Sequence, residues 1–194
     1  MNSYRVEQAP QELISKFIFN AVVPRPIAWI TTLSGEGVVN LAPFSFFNAV
    51  TTKPPLLMVS IGKRKSGELK DTARNVLDTG ELVVNVVSEE FLKVMHLSGK
   101  DFPPTESEAE KLGVELEPSL VVKPPRVKGV PASMECVVEE TLELGSTPML
   151  VVVARVVAFH YREGLLSSQK GIVGRLGGKR YCVVCDELDL SDLT

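Results

Sequence analysis

Short apolar runs broken by turn residues dominate the pattern of this chain. Val, Ile, Thr and aromatic side chains concentrate in Ile27–Leu33, Val38–Leu41, Leu56–Ile61, Leu82–Val87, Ala132–Glu139, Leu150–Phe159 and Arg180–Val184, most of them bounded by Gly, Pro, Ser or Asn. That pattern predicts strands. Ser34-Gly35-Glu36-Gly37 predicts a hairpin turn between the first two, because glycine adopts positive φ without a steric penalty. Helical periodicity is confined to short pieces. Gln11–Ile18 places Leu13, Ile14, Phe17 and Ile18 on one face; Asp71–Thr79 stops at Gly80; Glu89–Leu97 follows Ser88 as a candidate cap. Thr105-Glu106-Ser107-Glu108 matches a capping box, and Gly113 would close that helix. The helices do not alternate regularly with the strands, which argues against a doubly wound parallel sheet. The expectation is a mainly β fold, a barrel of antiparallel strands with a few short flanking helices, since closure removes exposed sheet edges. Pro103, Pro104, Pro118, Pro124 and Pro125 mark 99–131 as an irregular insertion within one domain of 1–194.

Composition narrows the function. With 194 residues, 44% hydrophobic and 23% charged, the chain can bury a sizeable core and is not disordered. A net charge of −3 argues against a nucleic-acid or anionic-membrane surface. The longest apolar stretch, Met149–Ala154, ends at Arg155, far short of a membrane span of about 18 residues. The first ten residues lack a basic start followed by an apolar run, and the three cysteines are an odd number, so the expected compartment is the cytoplasm.

Three segments could carry chemistry. From Ser60 to Thr72 the chain passes from a strand end, through a basic Gly/Ser bend, into a helix start. Lys63, Arg64, Lys65, Lys70 and Arg74 outnumber Glu68 and Asp71 there. Free N–H groups at a helix start with cations beside them suit a phosphate; a solvated basic turn with Asp71 as a cap fits the same residues equally well. No Walker A pattern is present. The second segment, Asn40 to Asn48, crowds Phe44, Phe46 and Phe47 beside Ser45 and Asn48, which suits the wall of a pocket for a flat ring or, as readily, a core strand. In the third, Pro24 to Thr32, Trp29 and Thr31 share one strand face.

Taken in order, Pro24–Thr32, Asn40–Asn48, Lys70-Asp71-Thr72-Ala73-Arg74-Asn75, Leu82–Val87, Met134–Val137, Val151–His160 and Gly174–Tyr181 resemble the flavin reductase-like, FMN-binding split-barrel family that includes flavoredoxin. The resemblance spans roughly residues 10–185. It implies a split β-barrel that forms a homodimer with FMN near the subunit interface. It places Thr31 and Thr32, with Trp29, along the flavin, and gives Ser45, Phe46, Phe47 and Asn48 contacts to ring and ribityl chain. Ser60, Gly62, Lys65, Lys70, Asp71 and Thr72 would surround the phosphate; His96 and Arg175 carry a weaker implication. Val22 and Val23 stand where the family commonly has a polar residue. FMN then carries the chemistry, and no dedicated catalytic residue is required. Electrons would come from NAD(P)H or a protein donor and pass to an acceptor. The alternatives are a flavoredoxin-type carrier without a nicotinamide site, or a non-catalytic flavin- or haem-binding module.

Other signals count for less. Cys182 and Cys185 form a Cys-x-x-Cys, but three positions apart in a strand they would lie about 10 Å from each other on opposite faces, so buried structural thiols are expected. Cys136, His96 and His160 are scattered singly, which does not suit zinc. The glycines at 171, 174, 177 and 178 suggest a flexible loop rather than a dinucleotide fingerprint, and Asp186–Asp192 a solvated tail.

Overall fold

The computed structural model describes residues 1–189. The chain begins with α1 (Gln11–Ala21), β1 (Arg25–Pro26), β2 (Ala28–Leu33), β3 (Val39–Phe44), β4 (Phe47–Thr52) and β5 (Pro55–Ile61). Then come α2 (Asp71–Thr79), β6 (Glu81–Val86), α3 (Leu92–Ser98) and α4 (Glu108–Leu112), followed by the short pair β7 (Leu116–Glu117) and β8 (Arg126–Val127). Two long strands, β9 (Ala132–Leu144) and β10 (Met149–Tyr161), precede the hairpin β11 (Val173–Arg175) and β12 (Tyr181–Val183). No helix among the described residues is long and apolar enough to cross a membrane.

The main sheet has seven antiparallel strands in the order β3-β2-β6-β9-β10-β5-β4. Its two edge strands, β3 and β4, are neighbours in the chain, separated by Ser45 and Phe46. One bent extended segment therefore leaves one edge of the sheet and starts the other, and the Ser60 N–H, donating to the Phe46 carbonyl at 2.8 Å, carries the β4–β5 ladder up to the bend. The result is the expected split barrel. Pro43 can sit in β3 because an edge strand has one unpaired side, so the missing N–H costs no ladder bond.

Both faces of the wall are buried. Ala28 and Ile30 point inward with Phe44, Val59, Ile61, Val76, Leu82, Val84, Leu150 and Val152. Ile27 and Trp29 point outward, where Leu41, Val87, Met95, Ala109, Val127 and Val173 cover them. The inner cluster includes Ala73 and Val76 of α2, so this helix plugs the barrel. Gly80 ends it as expected, with φ +69° and its N–H on the Val76 carbonyl.

Several sequence expectations need correction. β4 has no strand prediction because its residues are mixed in polarity and mostly exposed. Ser107, not Thr105, caps α4, accepting from the Glu110 N–H at 3.5 Å. Ser88 makes no side-chain cap; its hydroxyl donates to Glu90. The glycine-rich stretch at 171–178 contains β11 and is not simply a loop. Cys185 lies past the end of β12 and is exposed, while Cys182 is half-buried, so neither is a buried core thiol. In the acidic end, Glu187 accepts from the Gln169 N–H and the Ser168 hydroxyl. Residues 190–192 of that predicted tail lie outside the described residues.

One buried carboxylate anchors residues 120–122 of the 99–131 segment. Glu135 of β9 is fully buried, yet accepts from the N–H groups of Leu120 (2.7 Å), Val121 (2.7 Å) and Val122 (3.2 Å) and lies 2.7 Å from His160 Nε2. Burial pushes its carboxyl up, but these partners outweigh burial and hold it below the usual range. A folded carboxyl that titrates below its unfolded value stabilises the fold above the ordinary glutamate range, about 4.3, and that advantage is lost as pH falls through the lower folded value. Glu135→Gln therefore lowers stability by about 2–4 kcal/mol at pH 7, because its amide turns a donor toward backbone donors. It also shrinks the loss of stability on acidification. Urea unfolding at pH 7 and pH 4 measures both effects.

Candidate functional site

Two cavities meet across the end of β3. The narrower, about 40 Å³, is lined by Asn40, Arg64, Lys70, Asp71, Thr72 and Lys100, among others. The wider, about 220 Å³, is lined by Ile27, Ser45, Met95, His96, Arg175 and Tyr181. Pro43, Phe44 and Gly99 border both, so the two form one groove with Pro43 and Phe44 as its floor. The C-terminal end of α3 approaches this floor so closely that a Cβ on Gly99 would lie 3.1 Å from Pro43 Cγ.

At the narrow end α2 begins. Lys70 is its N-cap in extended conformation and supplies no side-chain cap, so the first N–H groups of the helix carry their partial positive charge to this cavity. The Lys70 ammonium sits 5.6 Å from the Phe44 ring centroid. Neither Lys70 nor Lys100 has a carboxylate partner among the described residues. Asp71, by contrast, is gripped by Arg64 and by Arg74 at 2.9 Å. Glu108 borders the same cavity and accepts from the Leu41 N–H at 2.8 Å; burial pushes its carboxyl up despite that bond.

A buried amide–hydroxyl network fixes α2 against the wall. Asn40 Nδ2 donates to Thr72 Oγ1 at 2.8 Å and to Thr32 Oγ1 at 3.2 Å, and Asn75 Nδ2 donates to Thr32 Oγ1 at 3.0 Å. All four residues are buried. Thr72 accepts in this network and keeps its own O–H to donate.

The predicted site residues are distributed unevenly. Lys70, Asp71 and Thr72 gather at the narrow end and Ser45 at the wide end. Ser45 Oγ accepts from Arg25 Nε at 3.4 Å. Trp29, Thr31 and Thr32 line neither cavity. All three are fully buried: Trp29 Nε1 donates to Ser98 Oγ at 2.9 Å, and Thr31 Oγ1 to the Pro125 carbonyl at 2.5 Å. Phe46 stacks on Phe19 with centroids 5.6 Å apart, Phe47 packs on the inner core, and Asn48 is exposed, accepting from the next backbone N–H. Ser60 and Gly62 lie at the end of β5, and Lys65 is exposed on the bend. From the basic bend it is Arg64 that enters the cavity, not Lys65.

Gly99, Lys100 and Tyr181 complete the groove without being singled out as site residues by the sequence, whereas Asn40 and Phe44 come from the segment that suits a ring-pocket wall or, as readily, a core strand. A partial signal exists for Tyr181, which closes the Gly174–Tyr181 motif. Gly99 and Lys100 have none, because they open the stretch that reads as an insertion.

Comparison with known proteins gives the family and the fold. The model of a family described as "Flavin reductase like domain" matches residues 20–174. An uncharacterized protein of Aquifex aeolicus is 39% identical over 192 residues, covering 95% of this chain and 97% of its own. Nitrilotriacetate monooxygenase component B from Bacillus cereus superposes with a TM-score of 0.89 at 35% identity, covering 98% of both chains. The Pseudomonas fluorescens 2-nitrobenzoate 2-nitroreductase NbaA superposes with a TM-score of 0.87 at 31% identity, covering 98% of this chain and 95% of its own.

Thr32→Val tests the network without touching the groove. It removes an acceptor that serves two buried amides, so unfolding in urea is expected at a stability lower by about 1–3 kcal/mol. Thr51→Val on the exposed strand β4 should leave the midpoint in place.

Proposed function

This chain belongs to the flavin reductase like domain family, and we propose that it is an oxidoreductase that holds FMN in the groove over Pro43 and Phe44. In this reading it takes electrons from NADH or NADPH and passes them to an acceptor. The observation that carries the proposal is the unpaired Lys70 at the uncapped start of α2, one end of a groove floored by an aromatic ring. The donor set fits a phosphate monoester. Lys70 supplies an ammonium, the helix start supplies N–H groups, and Thr72 has a hydroxyl proton to give. Arg64 and Arg74 screen the nearby Asp71, which lowers its repulsion toward an anion. At the wide end Ser45, whose oxygen accepts from Arg25, keeps its O–H for a ring heteroatom, while Phe44, Met95 and Ile27 give apolar walls. FMN when bound supplies the electron-accepting chemistry; these residues bind it, orient it and limit water. The redox roles named for the two solved relatives support the same class of reaction.

The same reading includes a homodimer. Helix α1 has no buried residue and exposes Phe17, Ile18 and Phe19. Tyr4, Val6, Leu13, Ile14 and Phe17 border an apolar hollow of about 670 Å³ between this helix and the residues before it. An amphipathic helix gains its stability by covering such a face, and a two-fold copy is the commonest cover. The Phe19–Phe46 stack leads from that face to Ser45, which would bring the interface near the cofactor.

Purified protein should be yellow or bind FMN saturably, and anaerobic NADH or NADPH should bleach it. Colourless protein without saturable FMN binding overturns the proposal. Lys70→Ala is expected to weaken FMN by about 10- to 150-fold, the worth of a charge-assisted bond of roughly 1.5–3 kcal/mol, and to leave riboflavin nearly unaffected. Fluorescence titration of both flavins measures this; equal losses would remove Lys70 from the phosphate site. Phe17→Glu should shift the sedimenting species from dimer to monomer.

A further inference from the structure

The wide end of the groove holds a positive charge that no carboxylate among the described residues pairs with. Arg175 on β11 donates to the Tyr181 hydroxyl and to the Gly178 carbonyl, and its guanidinium carbon lies 4.6 Å from the Tyr181 ring centroid. The Tyr181 hydroxyl lies 2.7 Å from His96 Nδ1, with the two rings edge to face. Arg175, Tyr181 and His96 all border the cavity. Its neighbouring cation is Arg25, and no carboxylate pairs with either guanidinium among the described residues.

The two arginines are used differently. Arg25 is 6% exposed and its Nη atoms donate to backbone, reaching the carbonyls of Phe19 (3.0 Å), Val22 (2.8 Å) and Leu176 (3.0 Å). It thereby fastens the end of α1 to the hairpin loop that follows Arg175. Burial and the charge of Arg175 both depress its protonation, so the pair repels. Arg175 has one backbone acceptor and one phenol, which leaves much of its five-donor fork without a partner. A half-buried cation in that state is stabilised by a ligand that brings negative charge.

We infer that Arg175, oriented by Tyr181 and His96, stabilises the reduced form of a flavin bound in the groove relative to its oxidised form. The inference rests on the FMN reading above. Transfer of two electrons and one proton from the donor, which departs oxidised, leaves the ring system with one negative charge. Arg175 offers a fixed guanidinium to that charge, in a site partly closed to water, where the attraction is stronger than in bulk solvent. A residue that merely shaped the cavity would support both oxidation states equally.

The midpoint potential of bound FMN separates these roles, because it measures the ratio of the affinities for the two states. In Arg175→Gln the reduced form should lose at least tenfold more affinity than the oxidised form, lowering the midpoint by about 30 mV or more for a two-electron couple. Arg175→Lys, which keeps the charge, should recover most of that shift, and Tyr181→Phe should move it part of the way in the same direction. Dye equilibration against the visible spectrum of the loaded protein gives the potentials; circular dichroism confirms the fold. An unchanged potential, or equal losses in both states, overturns the inference and leaves FMN binding intact. Failure of the unsubstituted protein to bind FMN would instead overturn the reading beneath it.

Discussion

The Thr32 hydroxyl accepts hydrogen bonds from the side-chain amides of Asn40 on β3 and Asn75 on α2, and Asn40 also reaches Thr72 at the start of that helix. All four side chains are buried, so each bond is worth more than its surface equivalent, and each unmade one would cost about 1–3 kcal/mol. The network determines how far along the barrel wall α2 begins. The position of Lys70, the direction of the first helical N–H groups and the setting of Asp71 between two arginines all follow from it. The buried polar residues of the inner wall, which at first sight weaken a hydrophobic core, are the part of it that aims the groove.

Charge along the groove is arranged by pairing as well as by placement. Three acids border the narrow end, yet Asp71 and Asp101 both meet Arg64, and Glu108 is bonded to the backbone of β3. What remains for a ligand is Lys70 and Lys100. At the opposite end no acid among the described residues pairs with Arg175. The proposed binding of FMN draws on that distribution, with the phosphate at the narrow end and the ring at the wide end.

Much of the fold was legible because its strands are rich in β-branched residues and bounded by turn residues. β4 escaped because Asn48, Thr51 and Thr52 face water on an edge strand, where no apolar period is needed. The basic bend was legible as a cluster, since basic residues before a helix start are a local signal. Which of them turns inward was not: Arg64 enters because Asp71, seven residues on, draws it there, and Lys65 points away. Trp29, Thr31 and Thr32 were correctly placed on a strand, but a wall buried on both faces gives no sequence sign of which polar residue meets a cavity. Gly99 with Lys100, and Arg175 with Tyr181, come from distant parts of the chain, and their convergence on Pro43 depends on tertiary packing that periodicity does not encode.

The passage from β3 to β4 takes two residues, Ser45 and Phe46, and in that span the chain crosses from one margin of the sheet to the other. The two margins of the sheet are thereby joined by a covalent tether of two residues. Evolutionary length variation should accumulate between α3 and β9, where extra chain can loop outward, while the two-residue tether stays constant in length even as its side chains change.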